Sequence, residues 1–180
     1  MRIIRGTHRG RKITAPANLP VRPTTDLAKE SLFNILDNHV YFEDLKVLDL
    51  YSGTGSIAYE FASRESKLVV AVDINPKCVA FIQETSTRLA FDNLKVVRSS
   101  SIGFLNHCRD KFDLIFADPP YDLKWLEELP DLVMQAEIIK DDGFFILEHP
   151  RGLNFNDHKL FFDHRHYGGV NFSFFKPLNH

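Results

Sequence analysis

Three short stretches of this 180-residue chain combine residue types that can do chemistry. The first is LDLYSGTGSIA, residues 48–58, where Asp49 precedes Ser52-Gly53-Thr54-Gly55. Glycines at this spacing allow a tight strand-to-helix turn whose backbone a ligand can approach closely. Gly53-x-Gly55-x-x-Ala58 also satisfies the dinucleotide fingerprint, which tolerates alanine at its third position. Asp49 argues against that occupant, because a carboxylate at the strand end repels a pyrophosphate and favours a cation. S-adenosylmethionine (SAM) carries a sulfonium and an ammonium group and no phosphate, so Asp49 suits its methionine end. A purely structural strand–helix turn is the alternative. The second stretch is VAVDINP, in which Asp73 ends an apolar run and can accept hydrogen bonds from ribose hydroxyls. That role serves NAD and SAM equally, and simple capping of the following helix is the bland alternative. The third is Asp118-Pro119-Pro120-Tyr121. Two prolines stiffen the backbone and remove two N–H donors, leaving acceptors beside an aromatic ring. Such a set suits a planar base that bears an exocyclic amine.

The elements around these residues alternate. KVLDLY (46–51), LVVAVDI (68–74), LKVVRS (94–99), FDLIFADPP (112–120) and GFFILEH (143–149) read as buried strands. Between them fall helical patterns. One starts at Thr24 or Thr25 with Leu27, Ala28, Leu32, Ile35 and Leu36 on its apolar face. Others run from Ser56 to about Arg64 and from Pro76, where Asn75 is the cap and Val79, Ile82 and Leu89 form the face. A further helical region holds Leu126, Leu132, Val133, Ala136 and Ile139. Apolar strands alternating with amphipathic helices predict a parallel sheet covered on both faces. The chain then changes character: KLFFDHRHYG and VNFSFFKP flank Gly168-Gly169 with no helix between them, which predicts an antiparallel hairpin. All three chemical motifs therefore fall at the C-terminal ends of strands, where open α/β sheets bind ligands.

Charge is unevenly spread. Residues 1–25 hold six basic residues and no acid, leaving 16 basic and 24 acidic residues in the remainder. A basic arm on an acidic body suggests an anionic partner for the arm. RIIRG and RKITA read as short extended segments around a turn, and APANLPVRP as a proline-rich linker. The domain organisation expected is thus a basic N-terminal hairpin and linker over 1–23, then one α/β domain over 24–180. The apolar runs are all far shorter than the ~20 residues of a membrane span, and no apolar stretch follows the basic N-terminus as a secretory signal would require. Cys78 and Cys108 form neither a disulfide framework nor a metal-ligand spacing. A cytoplasmic, membrane-free, metal-free monomer is expected.

The motifs together carry a resemblance. Asp-Pro-Pro-Tyr after the fourth strand is similar to the signature of SAM-dependent amino-methyltransferases of class I fold. MRIIRGTHRGRKI, VRPTTDLAKESLFNIL and VLDLYSGTGSIAYEFASR resemble the RsmD-type family of bacterial 16S ribosomal RNA guanine-N2 methyltransferases, over essentially the whole chain. The resemblance implies a Rossmann-like, seven-stranded, mostly parallel sheet of order 3-2-1-4-5-7-6 with a terminal antiparallel hairpin. It implies SAM held by Asp49, Ser52, Gly53, Thr54 and Gly55, by Asp73 with Ile74, and by Ser100 after the third strand. It places Arg22, Pro23 and Thr24 over that site. It makes Asp118, Pro119, Pro120 and Tyr121 the catalytic loop. It assigns Arg2, Arg5, Arg9, Arg11 and Lys12 to ribosomal RNA, with a guanine in the helix-31 loop of the small subunit as target. Ser100 departs from the acid or Asn usual after the third strand, and Tyr51 stands where a small residue or Phe is common.

Other functions compete. An N6-adenine methyltransferase can use the same four-residue motif, but 180 residues leave no room for a separate DNA target-recognition domain. An NAD(P)-dependent oxidoreductase would leave Asp49 and Asp118 unexplained. A non-catalytic RNA-binding subunit would have no use for an intact motif. Glu148-His149 ends the fifth strand near the expected cleft and reads more readily as a hydrogen-bonded structural pair than as a catalytic one. His158, His164 and His166 lack an acid or cysteine to complete a metal set. Trp125 can flank a base or simply pack.

Overall fold

The computed structural model describes residues 1–21, 25–167 and 169–178. One sheet is built from β1 (Lys46–Leu50), β2 (Leu68–Asp73), β3 (Leu94–Arg98), β4 (Phe112–Ala117), β5 (Ile139–His149), β6 (Phe161–Tyr167) and β7 (Val170–Phe175). Its order is β3-β2-β1-β4-β5-β7-β6, as the resemblance implies. The first five strands are mutually parallel and β7 pairs antiparallel with both β5 and β6. Helices α1 (Asp26–Leu36), α2 (Ser56–Ser63), α3 (Pro76–Arg88), α4 (Ser101–His107) and α5 (Leu129–Gln135) cover it. Leu32, Phe33, Phe61 and Ile82 belong to the core on one face, and Leu48, Leu105, Leu129 and Val133 to the core on the other. Strands buried on both sides must be apolar throughout, which is why β1, β2 and β4 lack the alternation of a half-exposed strand. The order reverses between β1 and β4, so a crevice opens at their C-terminal ends.

Local chemistry explains most boundaries. Thr25 accepts from the Ala28 N–H and starts α1. Asn75 accepts from the Lys77 N–H and, with Pro76 behind it, starts α3. β4 stops at Ala117, three residues before the expected Pro120, because Pro119 and Pro120 have no N–H to continue the ladder. The expected helical region reaching Ile139 is shorter than its apolar spacing suggests. α5 begins only at Leu129-Pro130, and Glu137 turns left-handed at φ 53°. Ile138 and Ile139 are buried by the sheet, and Ile139 opens β5, which runs four residues further upstream than GFFILEH. Leu27 is 66% exposed and does not belong to the buried face of α1, where Lys29 and Phe33 sit instead. Gly168 of the terminal turn lies outside the described residues, as do Arg22, Pro23 and Thr24.

The N-terminal arm is a minimal hairpin, bridged at Arg2 and Lys12. Ile3 and Ile13 are buried in the core of the α/β unit. Glu60 of α2, fully buried, accepts from the Ile4 N–H at 2.8 Å and the Arg5 N–H at 3.0 Å. It also pairs with Lys29 of α1 and with Arg64, whose guanidinium lies on the Phe33 and Phe42 rings and reaches Asp37. Lys29 in turn donates to the Arg2 carbonyl. Gly6, at φ +86°, passes so close to α2 that a β-carbon there would meet the Ser63 carbonyl oxygen at 1.8 Å. A buried charge network thus fastens the basic arm to the sheet's covering layer.

Candidate active site

Three strand ends converge at the crevice. Register places Asp49 of β1 beside Phe116 of β4, and Ala117 of β4 beside Leu147 of β5. The next residues along, Asp118 and Glu148, are therefore neighbours. Asp73 ends β2 on the other side of β1. The site gathers four carboxyl groups, and Asp49 and Glu148 each feel the charge of Asp118.

Asp49 is 1% exposed. Burial raises its carboxyl well above the usual carboxylate range, and the charges of Asp118 and Asp73 push the same way. Its Oδ2 has no hydrogen-bond partner among the described residues. An orphaned buried oxygen of this kind demands an explanation. Burial raises Asp118 to about 7. Glu148 reaches about 8 through burial and the charge of Asp118, against a hydrogen bond from the Tyr121 hydroxyl. Among the described residues the ion pairs lie elsewhere in the molecule and none reaches these three carboxyl groups. Such an acidic crevice suits a cationic ligand and opposes a pyrophosphate.

The glycine turn is held in place by Asp73. Its Oδ2 accepts from the Gly53 N–H and its Oδ1 from the Asn75 N–H, both at 2.8 Å. The capping alternative does not hold: Asn75, not Asp73, caps the helix, and Asp73 accepts from the N–H of that cap residue. Each Asp73 oxygen retains a lone pair for a ligand hydroxyl. Ser52 donates to the Asp49 carbonyl at 2.7 Å, and the Gly55 N–H to the Ser52 carbonyl at 2.7 Å. Gly53 and Gly55 both have positive φ. A β-carbon at Gly55 would sit 2.7 Å from Tyr59 Cζ. Gly55→Ala is therefore expected to destabilise the fold by about 1–3 kcal/mol and to open the turn. The checks are a thermal melt and calorimetric titration with SAM, whose affinity should fall about 10-fold or more.

Other expected residues take mixed positions. Ile74 is 65% exposed and follows Asp73. Thr54 is buried. Ser100 accepts from the Gly103 N–H at 3.0 Å and caps α4, a helix that the short, glycine-containing sequence SIGFLNH does not announce. Tyr51 is left-handed at φ 59°, and its hydroxyl accepts from Ser101 at 2.6 Å, tying β1 to α4. Pro120, Tyr121 and Trp125 are exposed and Pro119 is buried. Arg22, Pro23 and Thr24 lie outside the described residues. His149 is structural: its Nε2 meets Ser173 Oγ at 2.8 Å and its ring packs edge-on to Phe155. His164 and His166 both contact Asn171 Oδ1. Among the described residues no group of three His, Cys, Asp or Glu is placed to hold a metal ion, and no helix is long and apolar enough to cross a membrane. The buried, unpaired Glu148 Oε2 is the feature that sequence patterning undervalued; the acidic residue at a strand's C-terminal end was its only signal.

A protein-family model described as conserved hypothetical protein 95, the model of the RsmD family, matches residues 1–176. The chain belongs to that family. Ribosomal RNA small subunit methyltransferase D of Escherichia coli is 30% identical over 148 residues, covering 82% of this chain and 74% of that protein. The solved hypothetical protein TTHA0928 of Thermus thermophilus superposes with a TM-score of 0.86 at 26% identity, covering 98% of this chain and 99% of its own. A precorrin-6y C5,15-methyltransferase of Geobacter metallireducens, at 17% identity and TM-score 0.68, covers 91% of this chain and 94% of its own and shares the fold. The RsmD-family chain therefore has the class I methyltransferase fold that its strand order implies. SAM is the methyl donor that fits the residues present: the orphaned Asp49 oxygen, the glycine turn held by Asp73, and the exposed Ile74.

Proposed function

We propose that the chain methylates ribosomal RNA, transferring the methyl group of SAM to the exocyclic N2 amine of a guanine in the helix-31 loop of 16S RNA within the small subunit. The observation that carries this reading is Asp118, set between the glycine turn and β5 in a loop whose prolines supply only acceptors. Bound SAM supplies an electrophilic methyl group on a sulfonium. Asp49 and the turn from Ser52 to Gly55 hold its methionine portion, Asp73 its ribose, and Ile74 and the start of α4 at Ser100 flank its adenine.

The chain's own groups orient the amine. Asp118 accepts one N2–H and the Pro119 carbonyl accepts the other, which directs the nitrogen lone pair out of conjugation with the ring. Exposed Tyr121 stacks on a base turned out of its loop. Positioning supplies most of the acceleration, and the Asp118 carboxylate stabilises positive charge growing on the nitrogen. The proton then passes to Asp118, whose raised affinity for it suits that role.

The arm serves affinity. Arg2, Arg5, Arg9, Arg11 and Lys12 are all exposed, while Arg5 is also engaged by Asp37. Single alanine replacements at Arg9, Arg11 or Lys12 should weaken RNA binding regardless of sequence. Each should reduce the slope of log K against log salt by about 1, as read by filter binding across a salt series.

Methyl transfer from labelled SAM tests the function. Small subunits from a strain lacking the enzyme, the matching free 16S RNA and DNA are offered in parallel, with nucleosides identified by mass spectrometry. N2-methylguanosine in 16S RNA is the expected product. N6-methyladenosine, or no transfer by protein that binds SAM, would overturn the assignment.

A further inference from the structure

Glu148 has no place in the mechanism above, yet its position is unusual. It sits at the C-terminal end of β5, one position beyond the Ala117–Leu147 register pair, and so beside Asp118. It is 5% exposed, and its Oε2 has no hydrogen-bond partner among the described residues. A buried carboxyl oxygen left unpaired in the free protein is costly. Its other contact is the Tyr121 hydroxyl, on the same ring that is exposed at the crevice. His149 behind it is locked to Ser173, so the end of β5 cannot easily turn away.

We infer that Glu148 reads the Watson–Crick edge of the target base, accepting the N1–H of guanine while Asp118 accepts the neighbouring N2–H. The inference rests on the guanine-methylating reading and deepens it. A guanine presents N1–H and two N2–H donors in a row. Adenine presents an N1 acceptor in the corresponding place. Two adjacent carboxyl groups and a proline carbonyl form an acceptor-only row, which matches guanine and sets oxygen against the adenine N1 lone pair. A carboxyl that burial keeps protonated still has an acceptor oxygen for N1–H. Tyr121 links the two events. When its ring turns to stack on the base, its hydroxyl leaves Glu148 and uncovers the carboxyl where the base edge arrives. Glu148 is thus a specificity-determining residue, with no demand on it as a base.

A substrate with an altered base edge tests this without disturbing the protein. Small subunits are reconstituted with guanine or with 2-aminopurine at the methylated position. 2-Aminopurine keeps the N2 amine but lacks O6 and has a lone pair instead of a proton at N1. The parent enzyme should prefer guanine by about 10- to 100-fold in kcat/KM, the discrimination of one good base-edge contact. Glu148→Gln can turn its amide to donate to N1, so this preference should collapse towards unity. SAM affinity and melting temperature should stay close to the parental values, which a merely structural glutamate would not allow. Equal rates on both bases by the parent enzyme would overturn the inference, as would an unchanged preference in the variant. Should Glu148→Gln fail to fold, Glu148→Asp, which keeps the carboxyl but shortens its reach, should lower the preference instead, and an unchanged preference there would overturn the inference. If the parent leaves guanine unmethylated, the functional assignment itself has failed, and that outcome is separate from the others.

Discussion

Asp118→Asn should abolish methyl transfer and make the protein more stable. The side chain keeps its shape, but the carboxylate that accepts the amine proton and faces the growing charge is gone. Loss of a placed proton acceptor and of its electrostatic stabilisation costs on the order of 10³-fold in kcat. SAM binding should survive, because Asp49, the glycine turn and Asp73 are untouched. Stability moves the other way, since the native protein holds this carboxyl at about 7 against an ordinary value of 3.8. Between those values the folded chain binds a proton that the unfolded chain has released. Stability of the parent therefore falls as pH rises from about 4 to 7 and levels off above, where the half-buried charge costs its full amount. Asparagine removes that slope. The variant should gain about 1–2 kcal/mol at pH 8, with the amide's own burial limiting the gain, and almost nothing near pH 4. Urea melts at both values, beside a single-turnover methylation assay, check the pair of effects. The parental kcat/KM should rise through about pH 7 as Asp118 ionises, subject to the further titration of Glu148 near 8. A variant that is inactive but no more stable at pH 8 would mean that Asp118 is not a buried charge at a cost.

Glu60→Ala should produce the largest loss of stability. This one carboxylate accepts from two arm N–H groups and faces both Lys29 and Arg64. Burial already lowers the pKa of Lys29, with Glu60 opposing that shift. Removing the anion strands a buried ammonium, half of the Arg64 pairing and two backbone donors at once. Breaking a buried pair in this way costs about 3–5 kcal/mol, or roughly 6–20 °C in melting temperature for a chain of this length. Replacing both Glu60 and Lys29 by methionine should cost less than Glu60→Ala alone, because no uncompensated charge is left. Hydrogen exchange at Ile4 and Arg5 should accelerate in the alanine variant, since the arm loses its anchor. RNA affinity should fall with it, although Glu60 itself is acidic and buried. If the arm amides stayed protected, Ile3, Ile13 and the hydrogen bonds to Ser63 would be enough to hold the arm.

What sequence patterning determines here is whatever burial and local hydrogen bonding impose within a few residues. The continuous apolar runs of β1, β2 and β4 announce a doubly covered parallel sheet, because no other environment rewards an unbroken apolar strand. Asn75-Pro76 announces a helix start, and Gly53 and Gly55 announce left-handed turn positions, for reasons of backbone geometry that need no neighbours. The strand ends then name Asp49, Asp73 and Asp118. The remainder is decided by groups far apart in sequence. Leu27, expected on the apolar face of α1, is exposed, and Lys29 is buried because Glu60, on another helix, gives it a partner. Ile139 follows a helical period yet starts β5, because the sheet edge beside Phe112 needs a strand there. Helix α4, with seven residues and a glycine, is too short for a helical period to show, and exists through the Ser100 cap and burial of Leu105. The adjacency of Asp118 and Glu148 follows from the β4–β5 register, which couples residues separated by a whole helix and loop. Local sequence sets which backbone states are cheap; only the tertiary fold sets which charges must share a low-dielectric space, and that sharing makes the strand-end acids of this protein chemically useful.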